Sequence, residues 1–161
     1  MDILFPSSDQ IIPGLFIANA ATAIDKSFMK KNQISLIVNC TPSVPNMFPN
    51  EVQYSNISII DAPAENYAMY SALSRVLYKI HLYLQLGANV LVHCMAGKSR
   101  SATVVAAYLI QYYKYTPRQA IKFVISERSK AFNGGKRIVF LQALERLHED
   151  VLKQRKNIVL V

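Results

Sequence analysis

The sequence predicts one α/β domain, a mixed and mostly parallel central sheet flanked by helices. Three observations predict it. Short apolar, β-branched runs recur at Leu15–Ala18, Ile34–Val38, Val52–Ile60 and Val90–Val92, the pattern of buried strands. Segments with helical spacing separate several of these runs, the alternation of a parallel sheet with crossover helices. The length of 161 residues and the apolar share of 52% suit a single core, because a chain of this size buries roughly 70% of its extended surface.

Taken in order, residues 1–10 carry Pro6, Ser7 and Ser8 and read as a short, loosely held lead. The domain proper is expected over residues 11–156, with a tail over 157–161. Pro13 and Gly14 lead into the strand Leu15–Ala18. Ala20–Lys31 reads as helix, with Asp25 placed to cap a turn from Lys26. The strand Ile34–Val38 runs into Asn39, Cys40 and Thr41, and Pro42 and Pro45 then mark a loop. Val52–Ile60 alternates and ends apolar, and Asp61–Asn66 has turn chemistry. From Tyr67, apolar Met69, Leu73, Val76, Leu77, Ile80 and Leu84 follow helical spacing until Gly87 stops it.

Val90–Val92 is then the central strand, and Ser101–Ile110 is almost wholly apolar, a buried helix. Thr116-Pro117-Arg118-Gln119 is a capping box with proline at the first helical position, opening a helix toward Arg128. Ser129–Lys136 contains Asn133-Gly134-Gly135 and reads as loop. Arg137–Lys153 reads as the last helix, with Val139, Phe140, Leu144 and Leu147 inward. His81 and His148 fall on helices and read as solvated.

The net charge of +8 is uneven. Residues 1–93 hold 5 Lys/Arg against 6 Asp/Glu, and residues 94–161 hold 13 against 4. The basic half is either a field that draws anionic substrates or the solvated surface of basic helices. No apolar run approaches the ~20 residues of a membrane span, and no basic leader suggests a signal peptide. Two cysteines make no disulfide framework, so a reducing compartment is expected, the cytoplasm with the nucleus as the alternative. No ligand spacing suggests a metal, and no cofactor is expected. No aromatic–basic repeat marks a nucleic-acid binder.

The chemistry concentrates between Val90 and Ala102. A strand ends at His93 and Cys94, Met95–Ser99 form a loop around Gly97, and a helix follows Arg100. A helix N-terminus offers unpaired N–H groups and positive potential, and a curled loop adds a nest for phosphate oxygens. Both favour a thiolate at Cys94. Arg100 supplies a planar fork that fits two phosphate oxygens, and Gly97 lets the backbone turn beside the anion. Nucleophile, amide cradle and guanidinium together suit attack on phosphorus.

His93-Cys94-x-x-Gly97-x-Ser99-Arg100-Ser101 resembles the signature of cysteine-dependent protein phosphatases, in the form used by dual-specificity phosphatases. Gly14–Ala20, Ile37–Thr41, and Asn133 with Phe140-Leu141-Gln142 extend the resemblance along most of the chain. It implies a protein tyrosine phosphatase-like fold and a metal-independent hydrolase acting on phosphotyrosine and phosphoserine/phosphothreonine in proteins through a phosphocysteine intermediate. Met95, Ala96, Gly97, Lys98, Ser99 and Arg100 would form the phosphate loop. The family places a general acid some thirty residues before the nucleophile, which falls on Asp61, with Glu65 the competitor on the same loop. The resemblance also implies that Ser101 helps the Cys94 sulfur leave, unless it only caps a helix, and that His93 orders the loop. Asn39 and Asn133 are supporting positions. Cys40, at the end of a neighbouring strand, is either a small buried side chain or a redox partner that forms a reversible disulfide with Cys94, as in some phosphatases with this loop. Lys98 resembles the loop of lipid phosphatases, although Met95 stands where those carry a lysine. Phosphoinositides and RNA 5′-phosphate ends are therefore the alternative substrates, and a non-catalytic phospho-residue binding module is the rival class.

Overall fold

The computed structural model describes residues 3–160. Strands β1 (Ser8–Ile12), β2 (Leu15–Ala18), β3 (Ile34–Asn39), β4 (Gln53–Asn56) and β5 (Asn89–His93) form one sheet in the order β1-β2-β5-β3-β4. Four strands are parallel and β1 is antiparallel to β2. The sheet is mixed and mostly parallel, as expected. β5 lies in the middle, so its carboxyl end, where ligands bind in such sheets, is flanked by β2 and β3.

The strands β2, β3 and β5 alternate their side chains between two cores, as the pleat requires. Val90 and Val92 of β5 face the larger core with Leu36, Val38, Leu15 and Ile17. Helices α3 (Asn66–Gln85), α4 (Arg100–Tyr113), α5 (Pro117–Glu127) and α6 (Leu141–Val159) cover that face. Leu91, Ile37 and Ala18 face the smaller core, closed by α1 (Ala20–Ala23) and α2 (Lys26–Lys31) through Ala23 and Met29. The outer edge of β4 is covered by cations of α3: Arg75 donates to the Asn56 carbonyl at 3.2 Å and Lys79 to that of Tyr54 at 3.0 Å. Such cover blunts an edge that would otherwise pair with another strand.

Several boundaries differ from the sequence expectation. The loosely held lead is corrected: Ser8–Gln10 lie in β1, and Ser7 is tied down through its amide to Asn19 Oδ1 at 3.1 Å and Thr22 Oγ1 at 2.8 Å. The helix expected over Ala20–Lys31 is two, because Asp25 breaks it and caps the second through the Ser27 amide. The strand expected over Val52–Ile60 is β4 and stops at Asn56, although Ile57 and Ile59 beyond it are buried. The last helix begins at Leu141, not Arg137, because Phe132, Asn133 and Gly134 adopt left-handed backbone in the 3-10 segment Ala131–Gly135. It continues past Lys153 to Val159, so most of the tail expected at 157–161 is helix. His81, expected in solvent, is half-buried, with Nδ1 3.0 Å from the Tyr108 hydroxyl and its ring stacked on Tyr112 at 3.8 Å. His148 is also half-buried, on α6.

Asn19 is the joint between the start of the chain and the sheet. Its Oδ1 accepts from the Thr22 amide at 3.1 Å, capping α1, and its Nδ2 donates to the Phe5 carbonyl at 2.7 Å. Replacing it removes a helix cap and strands buried polar groups. Asn19→Ala is expected to lower stability by about 3 kcal/mol in urea unfolding.

Candidate active site

β5 delivers Cys94 to the centre of the sheet's carboxyl end, where the residue is only 2% exposed. The loop from Met95 to Ser99 then joins α4. Three of its carbonyls are bound from outside. Met95 O accepts from the Ala20 amide at 3.0 Å, and Lys98 O from the Phe132 amide at 2.7 Å. Gly97 O accepts from Arg128 Nε at 2.7 Å. In a trans peptide the following N–H points opposite to the carbonyl, so these bonds turn the amides of residues 96, 98 and 99 inward. Gly97 has φ +66°, and a Cβ there would come within 2.7 Å of Arg128 and 2.8 Å of the Ala18 backbone. Only glycine lets the loop close this tightly.

The cup opens into a cavity of about 280 Å³ lined by Cys94, Met95, Ala96, Lys98, Ser99 and Arg100, with Asp61, Phe132, Asn133, Arg137 and Val139 completing its wall. Arg100 donates through one terminal nitrogen to the carbonyls of Ile59 at 3.0 Å and Cys40 at 3.4 Å. Its Nε is buried without a hydrogen-bond partner among the described residues. An unsatisfied buried donor in a native fold calls for an explanation, and an anion in the cup supplies one. Ser101 Oγ lies 3.2 Å from Cys94 Sγ.

Asp61 stands exposed at the lip, where its Oδ1 accepts from the Ser99 hydroxyl at 2.6 Å. Glu65, its competitor, is not among the residues lining the cavity. His93 is buried behind the cup, with Nδ1 3.3 Å from the Cys94 carbonyl. Burial pushes its imidazole down to about 4, the nearby Arg100 charge adding to the fall and the Cys94 carbonyl opposing it. Asn39 is also outside the cavity. It orders the loop after β3, donating to the Val44 carbonyl at 2.7 Å and accepting from the Thr41 hydroxyl at 2.8 Å. Asn133 lines the wall in left-handed backbone. Cys40 is fully buried beside the site; burial pushes its thiol well up, the neighbouring Cys94 adds to this and Arg100 opposes it. Its amide donates to the His93 carbonyl at 2.9 Å. Both cysteines are free thiols. Among the described residues no group of three or more His, Cys, Asp or Glu gathers as a metal site.

The structure adds three residues that sequence reasoning missed. Arg128 is fully buried behind the loop, bonded to Gly97 O, to Asp9 at 2.7 Å and to the Ser7 hydroxyl at 3.2 Å. Arg137 lines the mouth. Asn66 donates to the carbonyls of Pro63 at 3.0 Å and Val139 at 2.8 Å, and accepts from the Ala143 amide at 3.0 Å. One amide thus joins the Asp61 loop to the cavity wall and caps α6 from outside. The sequence held a signal for Asn66, an Asn at a helix start, but none for its distant partners.

Comparison with known proteins agrees with this geometry. The family model for the dual specificity phosphatase catalytic domain matches residues 15–147. Rat dual specificity protein phosphatase 18 is 36% identical over 104 residues, 65% of this chain and 50% of that protein. Human dual specificity protein phosphatase 21 is 34% identical over 122 residues, 76% of this chain and 63% of that one. The chain thus spans less than two thirds of these relatives' length. The crystal structure of a human DUSP28 variant superposes with a TM-score of 0.84 at 25% identity, covering 93% of this chain and 99% of that one.

The buried imidazole generates a pH dependence. Folding lowers the His93 pKa from 6.5 to about 4, so the unfolded chain takes up its proton first as pH falls. The stability associated with the neutral ring is full above pH 6.5 and is lost down to about 4, a contribution of order 3 kcal/mol. Urea midpoints measured between pH 7 and pH 4.5 should fall more steeply for the wild type than for His93→Gln.

Proposed function

The chain belongs to the dual specificity phosphatase catalytic-domain family, and on that premise we propose that it hydrolyses phosphotyrosine and phosphoserine/phosphothreonine in proteins, without a metal, through a phosphocysteine. The observation that carries the reading is the buried Cys94 at the floor of a cup of inturned amides, beside an Arg100 Nε that has no partner among the described residues.

The amides and the Arg100 fork hold the equatorial phosphate oxygens, replacing the water they leave behind. The Cys94 thiolate attacks phosphorus in line with the ester oxygen, forming the S–P bond as the P–O bond breaks. Asp61 at the lip gives its proton to the departing oxygen. Water then attacks the phosphocysteine, Asp61 takes its proton, and the S–P electron pair returns to sulfur. Ser101 Oγ, 3.2 Å away, donates to that sulfur as it leaves. His93 stays neutral behind the loop and holds its backbone. Asn66 is a positioning residue, setting the Asp61 loop against the wall through Pro63 and Val139. The rival class, a binding module, usually lacks nucleophile, arginine or acid, and all three stand here. The cationic mouth, with Lys98 and Arg137 on its wall, favours phosphoinositide or RNA 5′-ends as the second substrate reading. The two free thiols suit a reducing compartment such as the cytoplasm, and no helix of the described residues is long and apolar enough to cross a membrane.

Hydrolysis of a generic aryl phosphate in the presence of chelator tests the reading. Cys94→Ser should lose at least about a thousandfold in kcat. Asp61→Asn should lose about a hundredfold on alkyl phosphates and far less on an ester with a good leaving group. Asn66→Ala should show the same leaving-group bias at smaller size, while equal losses on all esters would retire both assignments. Phosphopeptide, phosphoinositide and triphosphorylated RNA panels separate the substrates.

Cys40 follows Asn39, whose register partner is His93, and its amide bonds the His93 carbonyl, so it stands beside Cys94, a placement that supports a reversible disulfide between the two. Peroxide would oxidise the Cys94 thiolate to a sulfenic acid, its own oxygen–oxygen bond breaking to release hydroxide. The Cys40 sulfur would then displace water, forming the S–S bond and halting further oxidation. Peptide mapping after mild peroxide should find Cys40 linked to Cys94, and Cys40→Ser should no longer recover activity on reduction. A wild type without that peptide would reject the switch.

A further inference from the structure

Residues 3–7 are fastened beside the candidate active site, yet the side chains of Ile3, Leu4 and Phe5 face water. β1 is antiparallel, so Ser8 pairs with Ala18, which pairs in turn with His93. Residues 3–7 therefore lie at the carboxyl end of the sheet, two strand spacings or about 10 Å from the strand that delivers Cys94. The Asn19 backbone amide donates to the Ser7 carbonyl at 3.0 Å, and five more hydrogen bonds hold this segment by its polar atoms. They run from Ser7 N to Asn19 and Thr22, from Asn19 to the Phe5 carbonyl, and from Arg128 and Lys130 to the Ser7 hydroxyl. The side chains left over are apolar and open: Ile3 is 48% exposed, and Leu4 and Phe5 are each 72% exposed. Three consecutive apolar residues displayed from an anchored turn form a patch of the kind that marks an interaction site.

The same end of the molecule carries a second apolar element and a ring of cations. Ile60, next to Asp61 on the opposite lip, is 57% exposed. Lys98 and Arg137 line the mouth, and Lys136 stands exposed beside Arg137. Asp61 is the carboxylate on the lip, and Asp9 is taken up by Arg128. An acidic peptide would account for the cations alone, and an apolar peptide for Ile3–Phe5 alone. A surface that offers anionic groups with hydrocarbon just beneath them meets both at once.

We propose that the active-site end of this domain docks on an anionic bilayer surface, with Ile3, Leu4 and Phe5 entering the interface and the cations at the mouth meeting lipid headgroups. Docked this way, the Cys94 cavity faces the membrane, and its substrates are phosphomonoesters presented there. The docking itself is independent of the proposed hydrolysis, whereas the statement about substrates rests on that reading.

The test is flotation of the full chain with vesicles of phosphatidylcholine alone or with 30 mol% phosphatidylserine, alongside soluble aryl phosphate hydrolysis. The wild type should float with the serine-containing vesicles at least about tenfold more than with phosphatidylcholine, and less as salt rises. Leu4→Glu/Phe5→Glu should lose that binding about tenfold while keeping its aryl phosphate rate, which shows an intact fold. Ile158→Glu/Leu160→Glu, at the exposed end of α6, should bind as the wild type does. Absence of wild-type binding, equal binding by the Leu4/Phe5 variant, or loss confined to the α6 variant would each overturn the proposal. Loss of hydrolysis with vesicle binding intact would overturn the phosphatase reading instead.

Discussion

The constraint on which the structure depends is that a buried loop must find partners for its carbonyls without using its own amides. The loop after Cys94 finds them in Ala20 and in Arg128 and Phe132, which come from two widely separated parts of the chain. Backbone carbonyls left without partners would cost several kcal/mol together, so the folded state cannot keep the cup unless both segments are docked. Formation of the cup is therefore tied to completion of the domain. The helix dipole of α4 adds positive potential, but a dipole alone fixes no geometry. The outside bonds do.

This explains why the periphery is polar in odd places. Arg128 is the largest fully buried side chain among the described residues, and a buried cation is tolerated only when its donors are bonded. Its fork meets Gly97, Asp9 and Ser7, so one side chain links the loop, the edge strand and the start of the chain. Asn19 and Asn66 play the same part elsewhere, each joining segments distant in sequence through one amide. Small polar side chains with both donors and acceptors suit such joints, because one residue satisfies several backbone groups.

How much was legible follows from the same physics. The strands around Ile17, Ile37 and Leu91 and the Thr116 capping box depend on local pattern, and local pattern is what a sequence displays. Cys94, Gly97 and Arg100 were legible because the seat is built within one strand–loop–helix. Arg128 was not, since its partner Asp9 is 119 residues away and an arginine at a helix end reads as solvated. β1 was missed because Pro6, Ser7 and Ser8 look like a loose terminus, and the reason they are held lies in Asn19 and Thr22. The late start of α6 was missed because Phe132 and Asn133 take left-handed backbone, which a phenylalanine does not advertise. His81 was misplaced because its partners, Tyr108 and Tyr112, lie on the next helix.

The distribution of unmet bonding follows a direction. Behind the cup nearly every polar group is satisfied: His93 by the Cys94 carbonyl, Asn39 by three neighbours, Arg128 by three more. In front, the buried side-chain nitrogen without a partner among the described residues is Arg100 Nε. Such a group destabilises the fold by roughly 1–3 kcal/mol. An anion seated in the cup would offset that cost on binding. The arrangement is preorganised: donors are aimed before the ligand arrives, so little reorganisation is needed when charge develops. The stability needed to hold one donor unpaired comes from the satisfied shell behind it, which places the site's capacity for chemistry in residues that never touch the substrate.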